Sequence, residues 1–180
     1  MVVLFLANGF EEIEALATVD VLRRAGLSVC TVGVGGDFVT GSHGITVKTD
    51  LSEKALPPLQ EVQAVVLPGG LPGTTNLAQS PIVTDYVCRA ADSGILVAAI
   101  CAAPSVLGEL GLLVGKRATC YPGYESALRG AVCCDESVVT DDGVVTAKGA
   151  GVSIPFALAI VAQLISPEKA QEIGDAMQCR

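Results

Sequence analysis

Apolar residues along this chain are grouped into short unbroken runs, which are separated by stretches with a helical pattern. Such runs are typical of buried parallel strands, because helices cover both faces of the sheet they form. Strands of this kind are predicted at residues 2–7, 28–34 and 64–67 and in the run that ends at Cys101. Helices are predicted over residues 11–25, from the loop after residue 67 to about residue 93, and again after Cys101.

Shorter elements complete the predicted fold. Two hairpins are predicted, residues 38–40 with 45–48 and residues 137–140 with 144–147, and the turn Asp141-Asp142-Gly143 is a strong hairpin signal. A short strand at 117–120 and helices at 152–165 and 167–177 follow the same reasoning. Because no linker or repeat interrupts this alternation, we expect one domain over residues 1–180. Its fold class is α/β, a three-layer sandwich with a mostly parallel central sheet.

Charge and hydropathy limit the candidate partners and location. The 180 residues carry a formal net charge of −8, and no basic stripe is present. Nucleic acid and anionic membranes are therefore poor candidate partners. The apolar runs are far shorter than the roughly 20 residues that span a bilayer, and the first residues lack the basic segment of a signal peptide. We expect a cytoplasmic protein.

Seven cysteines and a single histidine limit the kinds of site. The cysteines are odd in number and irregularly spaced, and no CxxC occurs, so neither a disulfide framework nor a zinc site is expected. The glycine loop at residues 68–73 lacks the GK[ST] of a Walker A sequence, and the first strand is not followed by a dinucleotide fingerprint. We therefore expect no metal and no organic cofactor.

Cys101 lies where an apolar run stops and a helical pattern starts. This junction predicts a sharp turn beside the backbone N–H groups of the next helix, and those groups favour a thiolate. A thiol held there can attack an electrophile or be oxidised. The alternative is a buried structural thiol, since free cysteine is among the most buried residue types. We expect that structural role for most of the other six cysteines.

Two segments supply candidate partners for this thiol. The N–H of Gly70, with that of Ala102 or of Cys101 itself, could form an oxyanion hole; the alternative is a turn that simply needs glycine. Glu14 follows two acidic residues that suit a helix N-terminus. Ionised near Cys101, its carboxyl would raise the thiol pKa; protonated, it would donate a hydrogen bond to the thiolate and act as a general acid or base.

A histidine usually activates the cysteine of cysteine hydrolases. The only histidine here is His43, in the turn of the first predicted hairpin. The simpler interpretation of His43 is an exposed turn residue. An ordinary Cys–His peptidase is therefore disfavoured.

Five segments in this order resemble the DJ-1/PfpI (ThiJ) superfamily, specifically its DJ-1-like branch. They are NGFEEIE at 8–14, DVLRRAG at 20–26, VVLPGG at 65–70, AAICAAP at 98–104 and GAGVS with FALAIV within 149–161. Each is a weak signal alone, but together they cover nearly the whole chain. The resemblance implies a flavodoxin-like sandwich and a homodimer.

The resemblance also implies roles for individual residues. Cys101 would be the nucleophilic and oxidisable cysteine, and Glu14 its carboxyl partner. Gly70 and Ala102 would supply the backbone oxyanion donors. Gly69 is a further candidate to line the substrate pocket.

One departure from the family pattern bears on the mechanism. Many members carry a histidine before the proline after the short strand, where this chain has Tyr121 before Pro122. A phenol is a poor base near neutral pH, which leaves Glu14 as the main proton carrier. Tyr121 and Pro122 remain candidates to line the pocket. The family's hairpin is implied to approach the site across a dimer interface, so His43 is a candidate to line the partner's pocket.

Two functions follow from the resemblance. The first is a cofactor-independent glyoxalase III or deglycase-like enzyme, which converts methylglyoxal or glyoxal, or a glycated adduct, to a hydroxy acid through a Cys101 hemithioacetal. The alternative is a redox-responsive, stress-protective protein or chaperone whose Cys101 is oxidised to sulfinate, without significant turnover. Both need an accessible Cys101, so the sequence does not separate them.

Overall fold

A seven-stranded sheet forms the centre of the computed structural model, which describes residues 1–179. The strand order is β10-β11-β7-β6-β1-β2-β5, and every pair is parallel except β10 with β11. The strands of this sheet are β1 (Val2–Leu6), β2 (Val29–Gly33), β5 (Leu51–Ser52), β6 (Ala64–Leu67), β7 (Leu96–Ile100), β10 (Val138–Asp141) and β11 (Val144–Ala147). Two small sheets pair β3 (Phe38–Thr40) with β4 (Thr46–Lys48), and β8 (Arg117–Ala118) with β9 (Val132–Cys133).

Helices cover both faces of the sheet, as the unbroken apolar strands require. The helices are α1 (Glu12–Arg24), α2 (Gly73–Gln79), α3 (Pro81–Asp92), α4 (Pro104–Glu109), α5 (Ser153–Leu164) and α6 (Pro167–Ala176). Helices α1, α5 and α6 pack on one face, and α2, α3 and α4 on the other, so the core consists of two separate apolar layers. The predicted α/β sandwich is confirmed. Within residues 1–179, no helix is both long enough and apolar enough to cross a membrane.

The structure differs from the predicted elements in two respects. The single helix expected up to about residue 93 is two helices, because Ser80 and Pro81 start a new one. Proline disfavours helical backbone at the residue before it, and the Ser80 hydroxyl accepts a hydrogen bond from Val83 N–H to cap α3. The two-residue strands β5 and β9 were not predicted, since they are too short to show a pattern of apolar and polar residues.

The strand order places a crevice between β1 and β6. From β1 the chain builds the sheet outward in one direction through β2, and from β6 in the other through β7. At such a switch point the loops after neighbouring parallel strands diverge and leave room for a ligand. The turn that leads from β1 into α1, the loop after β6 and the residue after β7 all meet here.

Candidate functional site

Cys101 follows the last residue of β7 in a left-handed backbone conformation, with φ of 64°. Residues other than glycine rarely adopt this conformation, and the strained residues that do adopt it are concentrated at functional positions. The turn is held by two backbone hydrogen bonds, from Cys101 N–H to the Ala147 carbonyl at 2.9 Å and from Tyr121 N–H to the Cys101 carbonyl at 2.8 Å. The sharp turn predicted at this junction is therefore present, and it leaves the side chain half-buried.

The glycine loop after β6 packs directly against Cys101. A Cβ atom at Gly69 would lie 2.6 Å from Cys101 Cβ and 2.7 Å from Glu14 Oε2. Gly70 has φ of 89°, and a Cβ there would lie 2.4 Å from the Glu11 nitrogen. Both positions therefore need glycine for close approach, which is more than a turn alone requires.

Glu14 brings a carboxyl from the first turn of α1 into this contact. The side chain is 1 % exposed, and its Oε2 accepts a 2.7 Å hydrogen bond from Gly69 N–H. Oε1 is also buried but has no partner within normal hydrogen-bond geometry. The Cys101 thiol is nevertheless close enough to lower the Glu14 pKa, so the two groups face each other in a contact that is too long or too poorly aligned to be a normal hydrogen bond. Catalytic hydrogen bonds are often long before substrate binds.

Burial raises the pKa of Glu14 to about 7, against the opposing effects of the Gly69 N–H and the Cys101 thiol; the charge of Glu11 adds to the rise. Burial likewise raises the pKa of Cys101, and the charge of Glu14 and its hydrogen bond raise it further. Such a pair titrates as a unit, because the second proton leaves only against the charge created by the first. Above about pH 7 the pair therefore retains one proton, which lies on the sulfur while the carboxyl is ionised.

The expected effect of the backbone N–H groups on the Cys101 pKa is present, but it does not decide the net direction, which is upward. The N–H groups of Ala102 and Gly70 do act on the sulfur and lower its pKa, but burial and the Glu14 carboxylate outweigh them. Helix α4 begins only at Pro104, three residues after the cysteine. A thiolate at Cys101 therefore requires that its proton pass to Glu14.

Tyr121 and Pro122 have different surroundings. A Cβ at Gly149 would lie 3.3 Å from the Tyr121 ring and 3.9 Å from the Cys101 sulfur, so Tyr121 stands beside the thiol with Gly149 between them. Pro122 lines a separate cavity of about 330 Å³, which also contains Cys120, Cys133 and Cys134. Sequence reasoning did not single out Gly149 as a site residue; its signal is the small-residue segment that follows β11.

His43 lies at the tip of the β3–β4 hairpin, away from Cys101 within this chain. Its Nδ1 is 3.0 Å from Glu12 Oε2, and its backbone N–H donates to Glu12 Oε1 at 2.8 Å. The Glu12 hydrogen bond and the charges of Glu11 and Glu12 raise the His43 pKa. His43 therefore anchors the hairpin to α1, and whether it reaches a partner's pocket stays a prediction.

One cluster within residues 1–179 has the spacing of metal ligands. Glu11, Glu12 and His43 each place a ligand atom within 4.8 Å of the others. The Glu12 carboxylate already accepts hydrogen bonds from the backbone of His43 and Ile45 and from the Ser42 hydroxyl. These bonds give the cluster a structural role that needs no ion.

Comparisons with known proteins match nearly the whole chain. The family model described as "DJ-1/PfpI family" matches residues 1–163. Protein dj-1beta of Drosophila melanogaster is 38% identical over 96% of this chain and 93% of its own length. The glutathione-independent glyoxalase DJR-1.2 of Caenorhabditis elegans is 36% identical over 91% of this chain and 87% of its own.

Solved structures agree with the fold over almost the whole chain. The crystal structure of Drosophila melanogaster DJ-1beta superposes with a TM-score of 0.92 at 36% identity, covering 99% of this chain and 97% of that one. The oxidized Toxoplasma gondii DJ-1 gives 0.93 at 32% identity, covering 98% and 97%. The fold is thus flavodoxin-like, and the resemblance inferred from the five segments is confirmed. The chain belongs to the DJ-1/PfpI family.

Proposed function

We propose that this protein is a cofactor-independent glyoxalase, which converts methylglyoxal or glyoxal to the corresponding 2-hydroxy acid. The observation that carries the proposal is the contact between Glu14 and Cys101, in which a buried carboxyl with a raised pKa faces a thiol on a strained turn. The Caenorhabditis elegans relative named as a glutathione-independent glyoxalase supports the same chemistry.

The reaction begins with a proton transfer within the pair. Glu14 takes the thiol proton, and the Cys101 sulfur attacks the aldehyde carbon to form a hemithioacetal. The carbonyl oxygen becomes an oxyanion beside the N–H groups of Gly70 and Ala102, which already act on the sulfur. These donors are fixed backbone groups, so they need not reorganise as charge develops.

A hydride equivalent then moves between the two carbons as a proton and an electron pair. Glu14 removes the proton from the former aldehyde carbon to give an enediol, and a proton returns to the neighbouring carbon. Collapse leaves a thioester on Cys101, and water hydrolyses it to lactate or glycolate. In net terms one water is added, the aldehyde carbon is oxidised and the ketone carbon, or in glyoxal the second aldehyde carbon, is reduced.

The decisive experiment follows methylglyoxal by NMR in phosphate buffer that contains neither thiols nor amines. Wild-type protein is expected to produce lactate, and Cys101→Ser to produce none. Absence of lactate with the wild type would refute the proposal. Deglycase-like activity on a glycated adduct rests on the same thiol; it is tested by adding the preformed adduct and comparing its loss with the loss of free methylglyoxal.

The alternative function, a redox-responsive protein, is favoured by one observation. The donors Gly70 and Ala102 act on the sulfur itself, so they suit the oxygens of an oxidised Cys101. Two equivalents of peroxide would convert the thiolate to sulfinate, with release of water at each step. Mass spectrometry after mild peroxide is expected to find two added oxygens selectively at Cys101. Oxidation scattered over the seven cysteines would contradict this role.

A homodimer is part of this proposal. Ile13 and Leu16 on α1, Phe38 on β3 and Ile45 beside β4 are exposed apolar side chains. Glu12 fastens the tip of the hairpin to α1, so we expect these residues to contribute to one apolar surface, and such surfaces commonly mark interfaces. Light scattering is expected to give twice the monomer mass, and Phe38→Glu to reduce it. A monomeric wild type would contradict the assignment.

A further inference from the structure

A groove of about 400 Å³ lies beside the candidate site, between α2 and α4. A cavity of this size falls within the range of small-molecule sites, about 300–1,000 Å³. It is much larger than a three-carbon aldehyde needs. Its six hydrogen-bonding side chains are four hydroxyls, one amide and one carboxylate: Thr74, Thr75, Ser105, Tyr124, Gln79 and Glu109.

The walls of the groove are continuations of the segments that form the Cys101 site. Leu71, one wall, directly follows Gly70. The Ser105 hydroxyl donates to the Ala102 carbonyl at 2.7 Å. Tyr124 N–H donates to the Tyr121 carbonyl at 3.1 Å. The groove and the Cys101 site are therefore built from the same three segments.

Thr74 supplies an independent sign of a ligand. It is 4 % exposed, it lines the groove, and its Oγ1 is buried without a hydrogen-bond partner, so this oxygen would meet an occupant of the groove after rotation about the Cα–Cβ bond. A buried hydroxyl normally has a partner, and an orphaned one carries a free-energy cost. Thr74 N–H donates to the Gly70 carbonyl at 2.8 Å, so this orphan sits on the turn that holds a proposed oxyanion donor.

The charge of the groove narrows the class of occupant. Neither lysine nor arginine is among its lining residues, which disfavours a phosphorylated compound. Glu109 is an acceptor, and the hydroxyls both donate and accept. This combination suits neutral hydroxyl groups, which need both kinds of partner.

We propose that the groove is a subsite of the Cys101 centre that receives the hydroxylated tail of a sugar-derived 2-oxoaldehyde. The proposal rests on the proposed glyoxalase function and names a substrate class for it. The stoichiometry is the same as for methylglyoxal: one water is added, the aldehyde carbon becomes a carboxylate and the ketone carbon becomes an alcohol. The tail keeps its hydroxyls and contributes binding alone.

The test compares 3-deoxyglucosone, a six-carbon 2-oxoaldehyde, with methylglyoxal on the full-length protein. Wild type is expected to have a KM for 3-deoxyglucosone lower by about fivefold or more, since one hydrogen bond is worth about that factor. NMR identifies the 3-deoxy-2-hydroxy acid product. Thr74→Val keeps the shape of the side chain. It is expected to lower the ratio of kcat/KM for 3-deoxyglucosone to kcat/KM for methylglyoxal about fivefold.

Two further variants complete the test. Ala78→Leu narrows the groove, because Ala78 lines it, and is expected to abolish the preference. Thr84→Val, a matched change on α3 outside the groove, is expected to leave the ratio unchanged. If methylglyoxal is turned over but the two substrates have equal KM values, or if Thr74→Val leaves the kcat/KM ratio unchanged, the subsite is contradicted and the glyoxalase function is not. Turnover of neither compound would overturn both.

Discussion

Glu12 and Glu14 lie on the same turn of α1, and both are almost fully buried, yet their carboxyls have opposite properties. Burial alone would raise the pKa of Glu12, but hydrogen bonds from the His43 side chain and the backbone of His43 and Ile45 lower it to about 2. Glu14 has one backbone donor, from Gly69, and burial raises its pKa to about 7. Position on the helix therefore does not decide the chemistry; the balance between desolvation and the number of donors does.

The difference separates a structural acid from a reactive one. Glu12 is held as a carboxylate by several donors, so it fastens the hairpin and has no proton to exchange near neutral pH. Glu14 has a buried oxygen without a hydrogen-bond partner, lies against Cys101 and changes protonation near neutral pH. A general acid or base works best when its pKa is near the working pH. The comparison therefore predicts that substitutions at the two positions have separable consequences.

The largest expected effect is on turnover by Glu14→Gln. Glutamine keeps an acceptor for Gly69 N–H but cannot accept the thiol proton. We expect kcat/KM for methylglyoxal to fall by about 100-fold or more. Glu12→Gln is the matched control and is expected to retain activity within a few-fold. Equal losses in the two variants would show that the distinction between these acids is wrong.

The second effect is on the pH profile. Glu14 must be ionised to take the thiol proton, and its pKa is about 7. Wild-type kcat/KM is therefore expected to rise about tenfold per pH unit below pH 7 and to level off above it. Glu14→Gln, measured at higher protein concentration, should lack this limb. A limb that persists in Glu14→Gln would assign it to another group.

The third effect is on stability, and here Glu12 is the sensitive position. Glu12→Gln removes the charge from hydrogen bonds with His43 and Ile45, which is expected to lower the free energy of unfolding by about 1.5–3 kcal/mol. Urea denaturation at pH 7 measures it. Glu172→Gln, which removes an exposed ion pair with Lys169, serves as a control and should cost under about 1 kcal/mol.

The two acids should also give opposite pH dependences of stability. Because the Glu12 pKa is lowered, its contribution is present above its ordinary value of 4.5 and is lost as the pH falls toward about 2. The Glu14 pKa is raised, so its contribution is present below 4.5 and is lost as the pH rises through about 7. Glu14→Gln should therefore gain stability relative to wild type across that range. Thermal melts between pH 4 and pH 8 check the sign.

The smallest effect is expected at His43. His43→Gln removes the side-chain contact with Glu12 but keeps the backbone N–H bond. Its loss of stability, in the same urea titration, should be smaller than that of Glu12→Gln. A larger loss would mean that the imidazole, rather than the backbone, holds the hairpin to α1.

Much of the fold was predictable because buried parallel strands leave a plain pattern. The run at 64–67 matches β6, and the run ending at Cys101 puts that residue one position after β7. Hairpin turns such as Asp141-Asp142-Gly143 are also easy to predict from sequence. Here the strand β10 extends one residue further than predicted and includes Asp141. The break between α2 and α3 was missed, since a helical pattern continues through Ser80 and Pro81 while the chain changes direction.

The candidate site was predictable in its members and less so in its energetics. Cys101, Glu14 and Gly70 follow from strand ends and family segments, and the structure brings them together. Gly149 was not named as a site residue, because its contact with Cys101 depends on how β11 pairs with β7. The net direction of the thiol pKa could not be predicted, because the backbone donors and the acid are visible in sequence and the burial of the thiol is not.

The sequence by itself determined the layered fold, the family and the thiol on which the proposed function depends. Each of these rests on local patterns, such as apolar runs, glycine turns and the residue that follows a strand. Only the tertiary structure decided that, of two acids on one helix, Glu14 has a raised pKa and Glu12 a lowered one. That difference depends on desolvation and on donors that come from distant segments, Gly69 for Glu14 and His43 for Glu12. Neither quantity is a property of the residues near either acid in the chain.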